Sequence, residues 1–142
     1  MLFPKSIQYV VTSLLLFLVV SCKQEKETNT QILAISNVSI ATDKDGKIGT
    51  NTEICDANAQ TFHCVVSTNQ KQAGAKIRVG LIAVAAEGYE NFEVRVLDQT
   101  TDSIQTSFDF PFSLARPWFK GKYKCDVYLN DSLVQVKNFE MQ

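Results

Sequence analysis

From Ile32 onward the chain is a series of short apolar–polar alternations, and no 3.6-residue period is sustained anywhere along it. Period two is the signature of strands with one face buried. The runs are Ile32–Thr42, Thr61–Ser67, Lys76–Ala86, Phe92–Asp98, Ser103–Phe110, Gly121–Leu129 and Ser132–Phe139. Turn residues separate them: Asp43-Lys44-Asp45-Gly46, Gln72-Ala73-Gly74, Ala86-Glu87-Gly88 and Asn130-Asp131-Ser132. The last joins two strong strands as a tight hairpin. About seven strands at this spacing specify an all-β chain, folded as an antiparallel β-sandwich over residues 32–142.

The alternation also assigns faces. Phe92, Val94 and Val96 are expected on one side, with Glu93 and Arg95 on the other. Phe108, Phe110 and Phe112 share a face opposite Asp109. Tyr123, Cys125, Val127 and Leu129 share another, with Lys122, Lys124 and Asp126 turned to water. Val79–Ala86 is apolar on both sides and reads as a central strand. A short helix there is the competing reading, since its alanines permit one.

The first residues are an address. Lys5 supplies a positive n-region, and Ile7–Val20 is an apolar stretch interrupted by Gln8, Thr12 and Ser13. It is short of the roughly 20 residues that a membrane span needs, and right for a signal-peptide core. It ends in Val19-Val20-Ser21-Cys22, which resembles the lipobox of bacterial lipoproteins, with Val19 where Leu is usual. The resemblance implies a signal peptide over residues 1–21 and a Cys22 thiol that accepts the diacylglyceryl group. Acyl chains at about 0.8 kcal/mol per buried methylene then hold the protein on a bilayer. The competing reading is an ordinary secretory signal with Cys22 in a disulfide. Residues 23–31 hold no apolar side chain and read with Cys22 as a flexible tether, 22–31. Lys23 stands where inner-membrane lipoproteins carry Asp, so the outer membrane or cell surface is the expected site. The charged run after Cys22 also resembles the export signal of Bacteroidetes surface lipoproteins, although a solvated linker explains it equally well.

Pro117-Trp118-Phe119-Lys120-Gly121-Lys122-Tyr123-Lys124-Cys125-Asp126-Val127-Tyr128-Leu129-Asn130, followed by Leu133-Val134 and Phe139-Glu140-Met141, resembles the end of small Ig-like sandwich domains of secreted and lipid-anchored bacterial proteins. Cys125 and Met141 depart from that pattern, in which aliphatic residues are usual. The resemblance implies an Ig-like fold and no particular activity.

Three cysteines remain besides Cys22. Cys64 shares a face with Phe62 and Val66, and Cys125 with Tyr123 and Val127, so both point inward. An exported domain sits in an oxidising compartment, and Ig domains carry an inter-sheet bridge with a Tyr two residues before its second Cys. Cys64–Cys125 is therefore the expected disulfide. It closes a loop of about 60 residues, for about 4 kcal/mol in the chain-entropy model. Cys55–Cys64, Cys55–Cys125 and no bond at all stay open.

Little catalytic equipment is legible. A net charge of −1 argues against a nucleic-acid binder. No phosphate loop, C-x-x-C or ordered Ser-His-Asp set occurs, and no cofactor is implied. His63 is the one histidine and reads as exposed or on an edge strand. Asp43-Lys44-Asp45-Gly46 echoes a calcium loop but has too few ligands, so it reads as a turn and no metal is expected. Glu87, Glu90, Glu93, Asp98 and Asp102 offer a hydrolase pair only if the fold brings two together. The better candidate for binding is Arg116, Trp118 and Phe119, joined by Phe110 and Phe112, since Trp and Arg dominate recognition hot spots. The alternative is that Trp118 caps the core. These features point to a membrane-anchored, non-catalytic adhesion, scaffolding or binding module that meets an envelope protein or polysaccharide. The alternative is an accessory or inhibitor subunit of an envelope complex, and a carboxylate hydrolase comes third.

Overall fold

The computed structural model describes residues 30–142; the leader, Cys22 and most of the tether lie outside the described residues. Nine strands follow one another: β1 Ile35–Lys44, β2 Lys47–Asn51, β3 Ile54–Cys55, β4 Thr61–Thr68, β5 Lys76–Ala86, β6 Tyr89–Thr100, β7 Ser107–Ser113, β8 Gly121–Leu129 and β9 Ser132–Met141. They form a four-stranded sheet, β2-β1-β4-β7, and a five-stranded sheet, β3-β9-β8-β5-β6. Every pairing is antiparallel except β3 with β9. Two of the nine lie outside the expected seven. The β2 segment Lys-Ile-Gly-Thr-Asn does not alternate, and β3 is two residues long. Val79–Ala86 lies within β5, an inner strand of its sheet, and not in a helix.

The inward faces interdigitate. Ile40, Phe62, Cys64, Val66, Phe108, Phe110 and Phe112 come from the first sheet. Ile77, Val79, Leu81, Tyr123, Cys125, Val127, Phe139 and Met141 come from the second. Phe62 sits centrally against Phe112, Phe139 and Trp118, at ring-centroid distances of 5.4, 5.1 and 5.2 Å. Burying each such ring stabilises the fold by roughly 1.5–3 kcal/mol.

Three hairpins turn on paired positive-φ residues: Asp45-Gly46, Glu87-Gly88 and Asn130-Asp131. Such two-residue loops match the right-handed twist of the strands they join. Two strands start later than expected, each because a side chain takes backbone groups, and β6 starts earlier, at Tyr89 rather than Phe92. Asn69 accepts from the Ala34 amide and donates to the Ile32 carbonyl, both at 2.9 Å, so β1 begins at Ile35. Asp102 accepts from the amides of Ile104 and Gln105, folding 102–105 into a turn before β7.

One face assignment is corrected. Arg95 stands opposite Leu81 and Glu93 opposite Ile82, which leaves Val94 as the extra residue of a bulge. Phe92 and Val94 lie on the inner side as expected. Beyond the bulge the parity flips, so that Leu97 packs on the core and Val96 joins Glu93 on the outer face.

The strands define two poles. The chain enters beside Asn69 and Gln70, where Gln70 Nε2 donates to the Gln31 carbonyl. The eight residues of β4 run from there to Gln60 and the β7–β8 loop, a span of about 25 Å at the usual rise.

Candidate functional site: the aromatic pole

At the pole opposite the chain entry, the loop Leu114–Lys120 folds back over the open end of the sandwich. Backbone bonds hold it: the Trp118 amide donates to the Ala57 carbonyl at 2.8 Å, and the Lys120 amide to Glu87 Oε1 at 3.3 Å. Trp118 is 5% exposed, its edge set on Phe62 and Tyr123 and its Nε1–H directed at the Gln60 carbonyl, 3.3 Å away. Tyr123 Oη donates to the Phe119 carbonyl at 2.8 Å. Burial raises the Tyr123 pKa, the Glu87 charge adds to the rise, and Arg116 opposes it, so the phenol stays a donor.

Phe119 is left half-exposed above this floor. Its ring stacks on Tyr89 at 5.4 Å, and Tyr89 meets Phe92 at 5.1 Å. Tyr89 and Phe92 are 42% and 50% exposed, unusually wet for such rings. Between them opens a cavity of about 70 Å³ over Leu114, Trp118 and Tyr123. The Arg116 guanidinium lies over the Phe119 face at 4.4 Å, and Arg116 enters no ion pair among the described residues.

Arg116, Trp118 and Phe119 thus come together, but in different roles. Arg116 and Phe119 form surface, while Trp118 is the floor, as the core-capping alternative held. Phe110 and Phe112 are not part of the patch. They are 1% and 0% exposed, because β7 turns their face into the core. Tyr89 and Phe92 complete the site and were missed as binding residues. The signal available was an aromatic pair just after the Glu87-Gly88 turn.

A second cluster was not foreseen. His63 is 2% exposed, a correction to the exposed or edge position expected of it. It sits on β4, flanked by β1 and β7, and these supply Asp43 and Asp109 as diagonal neighbours on the outer face. Nε2 lies 2.7 Å from Asp43 Oδ1, and Nδ1 lies 2.8 Å from Asp109 Oδ1. Carboxylates only accept, so both ring nitrogens must donate, which requires the imidazolium. Burial opposes that charge, but the hydrogen bonds and charges of the two carboxylates outweigh it and raise the pKa above 6.5. The His63 bond, helped by the Gly46 amide, lowers that of Asp43. The turn expected at 43–46 is the β1–β2 hairpin, and Asp43 closes it through Gly46.

The expected disulfide is not formed: Cys55, Cys64 and Cys125 are free and buried. The geometric half of the expectation holds, since Cys64 and Cys125 are both buried on the inner faces of the two sheets. The neighbouring Cys64 thiol, then burial, pushes the Cys125 thiol well up; burial raises Cys55 to about 11. Of the five acids weighed for hydrolysis, Glu93 and Asp98 come to one site. Asp98 pairs with Arg78, Asp102 is taken by its turn, Glu87 holds the Lys120 amide, and Glu90 lies on the β5–β6 hairpin. Glu93 shares with Asp98 and Asp126 a shallow hollow above Gly80.

No protein-family model and no curated protein matches the chain. Solved structures do. An immunoglobulin-like protein from Pseudomonas aeruginosa superposes with a TM-score of 0.54 at 11% identity, over 79% of this chain and 98% of its own. The fold is immunoglobulin-like. A β-glucosidase from Listeria innocua matches 78% of this chain with 16% of its own length, at a TM-score of 0.47 and 14% identity. A Bifidobacterium adolescentis β-glucosidase matches 78% with 17%, at 0.41 and 14%. Neither of these two likenesses bears on the chemistry of the immunoglobulin-like domain.

Proposed function

We propose that the protein is a non-catalytic binding module held on the outer membrane or cell surface by acylated Cys22. The immunoglobulin-like fold supports a binding role, and the sequence at Val19–Cys22 supports the anchor. The observation that carries the reading is the aromatic pole. Tyr89 and Phe92 stay in water beside the half-buried Phe119 around an apolar cavity, where a domain stabilised for its own sake would bury them. It lies at the far end of β4 from Gln31.

The anchor is tested on the full chain expressed in a two-membrane bacterium. Cys22→Ala is expected to move the protein from the membrane fraction to the soluble fraction and to abolish the mass gain of acylation. A Cys22→Ala protein that still fractionates with membranes refutes the anchor. Binding is tested by incubating the full chain with envelope polysaccharide and with solubilised envelope proteins, comparing wild type with Phe92→Ala. Equal capture by the two proteins refutes the pole.

A second reading, an accessory or inhibitor subunit of an envelope complex, has its own support. Leu133, Val134 and Val136 on β9 are 42–53% exposed. β3 covers β9 only at Glu140 and Met141, which leaves its earlier edge open to a partner strand.

A further inference from the structure

The pole also carries a statement about ligand class, which rests on the binding reading above. Its cavity of about 70 Å³ has the room of roughly two waters. That is about the size of the branched end of an aliphatic side chain and smaller than a pyranose or phenyl ring. Its walls are the rings of Tyr89, Phe92 and Phe119, and its floor is Leu114 and the edge of Trp118, so what enters must be apolar.

Charge fixes the neighbouring group. On the outer face of the five-stranded sheet and at its far turn, three cations are neutralised in place, while Lys122 enters no ion pair among the described residues. Arg78 pairs with Asp98 and Asp131, Lys76 with Asp131, and Lys124 with Asp126. Arg116 has only the Phe119 ring face and a 3.3 Å bond from Nη1 to the Pro117 carbonyl. Its remaining donors face water at the cavity rim. A guanidinium over a ring face with one nitrogen engaged retains further donors, and a paired set of such donors grips a carboxylate.

We propose that the aromatic pole binds a peptide segment in which a leucine-like side chain adjoins a carboxylate. The aliphatic end fills the cavity over Trp118, and the carboxylate takes the free edge of Arg116.

Trp118 is the one tryptophan of the chain and forms part of the floor, so its indole N–H resonance reports occupancy directly. The ¹⁵N-labelled protein is titrated with acetyl-Leu-Glu-amide, acetyl-Leu-Lys-amide, acetyl-Ser-Glu-amide and cellohexaose. Acetyl-Leu-Glu-amide is expected to shift the resonance saturably. Replacing Leu by Ser should weaken binding at least tenfold, and Glu by Lys at least fivefold. Arg116→Gln, an exposed change whose remaining spectrum checks the fold, should keep the Leu preference and abolish that for Glu over Lys. Equal binding of the Leu and Ser peptides overturns the inference, as does an Arg116→Gln protein that still prefers Glu. Binding of cellohexaose alone overturns it and leaves the broader binding reading standing. No response to any probe overturns the inference, and the capture comparison with Phe92→Ala decides the broader reading.

Discussion

Trp118→Ala separates a ring that builds the site from a ring that is itself the contact. Truncating a buried Trp costs 3–5 kcal/mol through lost transfer energy and the cavity left behind. Trp118 belongs in the upper half of that range. It is 5% exposed, it makes edge contacts to Phe62 and Tyr123 that are each worth roughly 0.5–1.5 kcal/mol, and its Nε1–H is directed at the Gln60 carbonyl. The expected loss is therefore about 4–5 kcal/mol, close to the whole stability of a marginal domain. In a domain of this size it lowers the melting temperature by roughly 15 °C. Trp118→Phe, which keeps a ring on Phe62, should lose about half as much. Unfolding is followed by far-ultraviolet circular dichroism in guanidinium, since the variant has no tryptophan fluorescence. Phe92→Ala, at a ring half in water, should cost about 1 kcal/mol and sets the scale. A Trp118→Ala loss no larger than that of Phe92→Ala refutes the placement of the indole in the core.

The His63 clasp makes stability depend on pH in a definite direction. The folded pKa is raised, so its contribution is full below 6.5 and is lost as pH rises through the folded value; that of Asp43 is lowered, so its contribution fades in acid. Urea midpoints should fall above pH 6.5 in the wild type and stay level in His63→Gln; a wild-type curve as level as the variant's contradicts the imidazolium. Gly121→Ala should cost about 4 kcal/mol. Its Cβ would overlap the Ala85 carbonyl and stand 2.7 Å from Ala86 Cα at a φ of +146°, adding overpacking to backbone strain. At Gly74, which also has positive φ but open space, the same change should cost about 1 kcal/mol; equal losses by calorimetry remove the steric argument. In the native protein at pH 8, Cys55, Cys64 and Cys125 should resist iodoacetamide, because they are buried and the thiols of Cys55 and Cys125 are pushed up. All three should react after denaturation, and mass spectrometry that finds only one reactive even then means that two are bonded.

The sheets were legible because β4, β7 and β8 each set an unbroken run of large inward residues against the core. Period two then fixes the faces without knowledge of the partner strand. Legibility ended where one residue changes the parity. The Val94 bulge has no marker of its own, so Val96 was assigned inward. Trp118 as a floor was open to the sequence only as the alternative to a binding patch, and the rim depends on the β5–β6 hairpin reaching that loop, a contact between distant segments. His63 was harder still. Its burial comes from carboxylates 20 and 46 residues away, which period two cannot bring together. The meeting of Cys64 and Cys125 could be read from inward parity, whereas their bonding state is chemistry that parity does not carry.

The two poles have a mechanical consequence. A domain restrained at Gln31 and gripped at its aromatic end is loaded along its strands. Pulling on the start of β1 drags it lengthwise past β4, and the ladder from Ile35–Thr68 to Thr42–Phe62 carries that load across many bonds at once. Hydrogen bonds stretched in shear yield together, whereas those peeled from one end yield singly. With the proposed anchor and the proposed binding pole, the same β1–β4 pairing that closes the core lies directly in the path of tension between membrane and ligand.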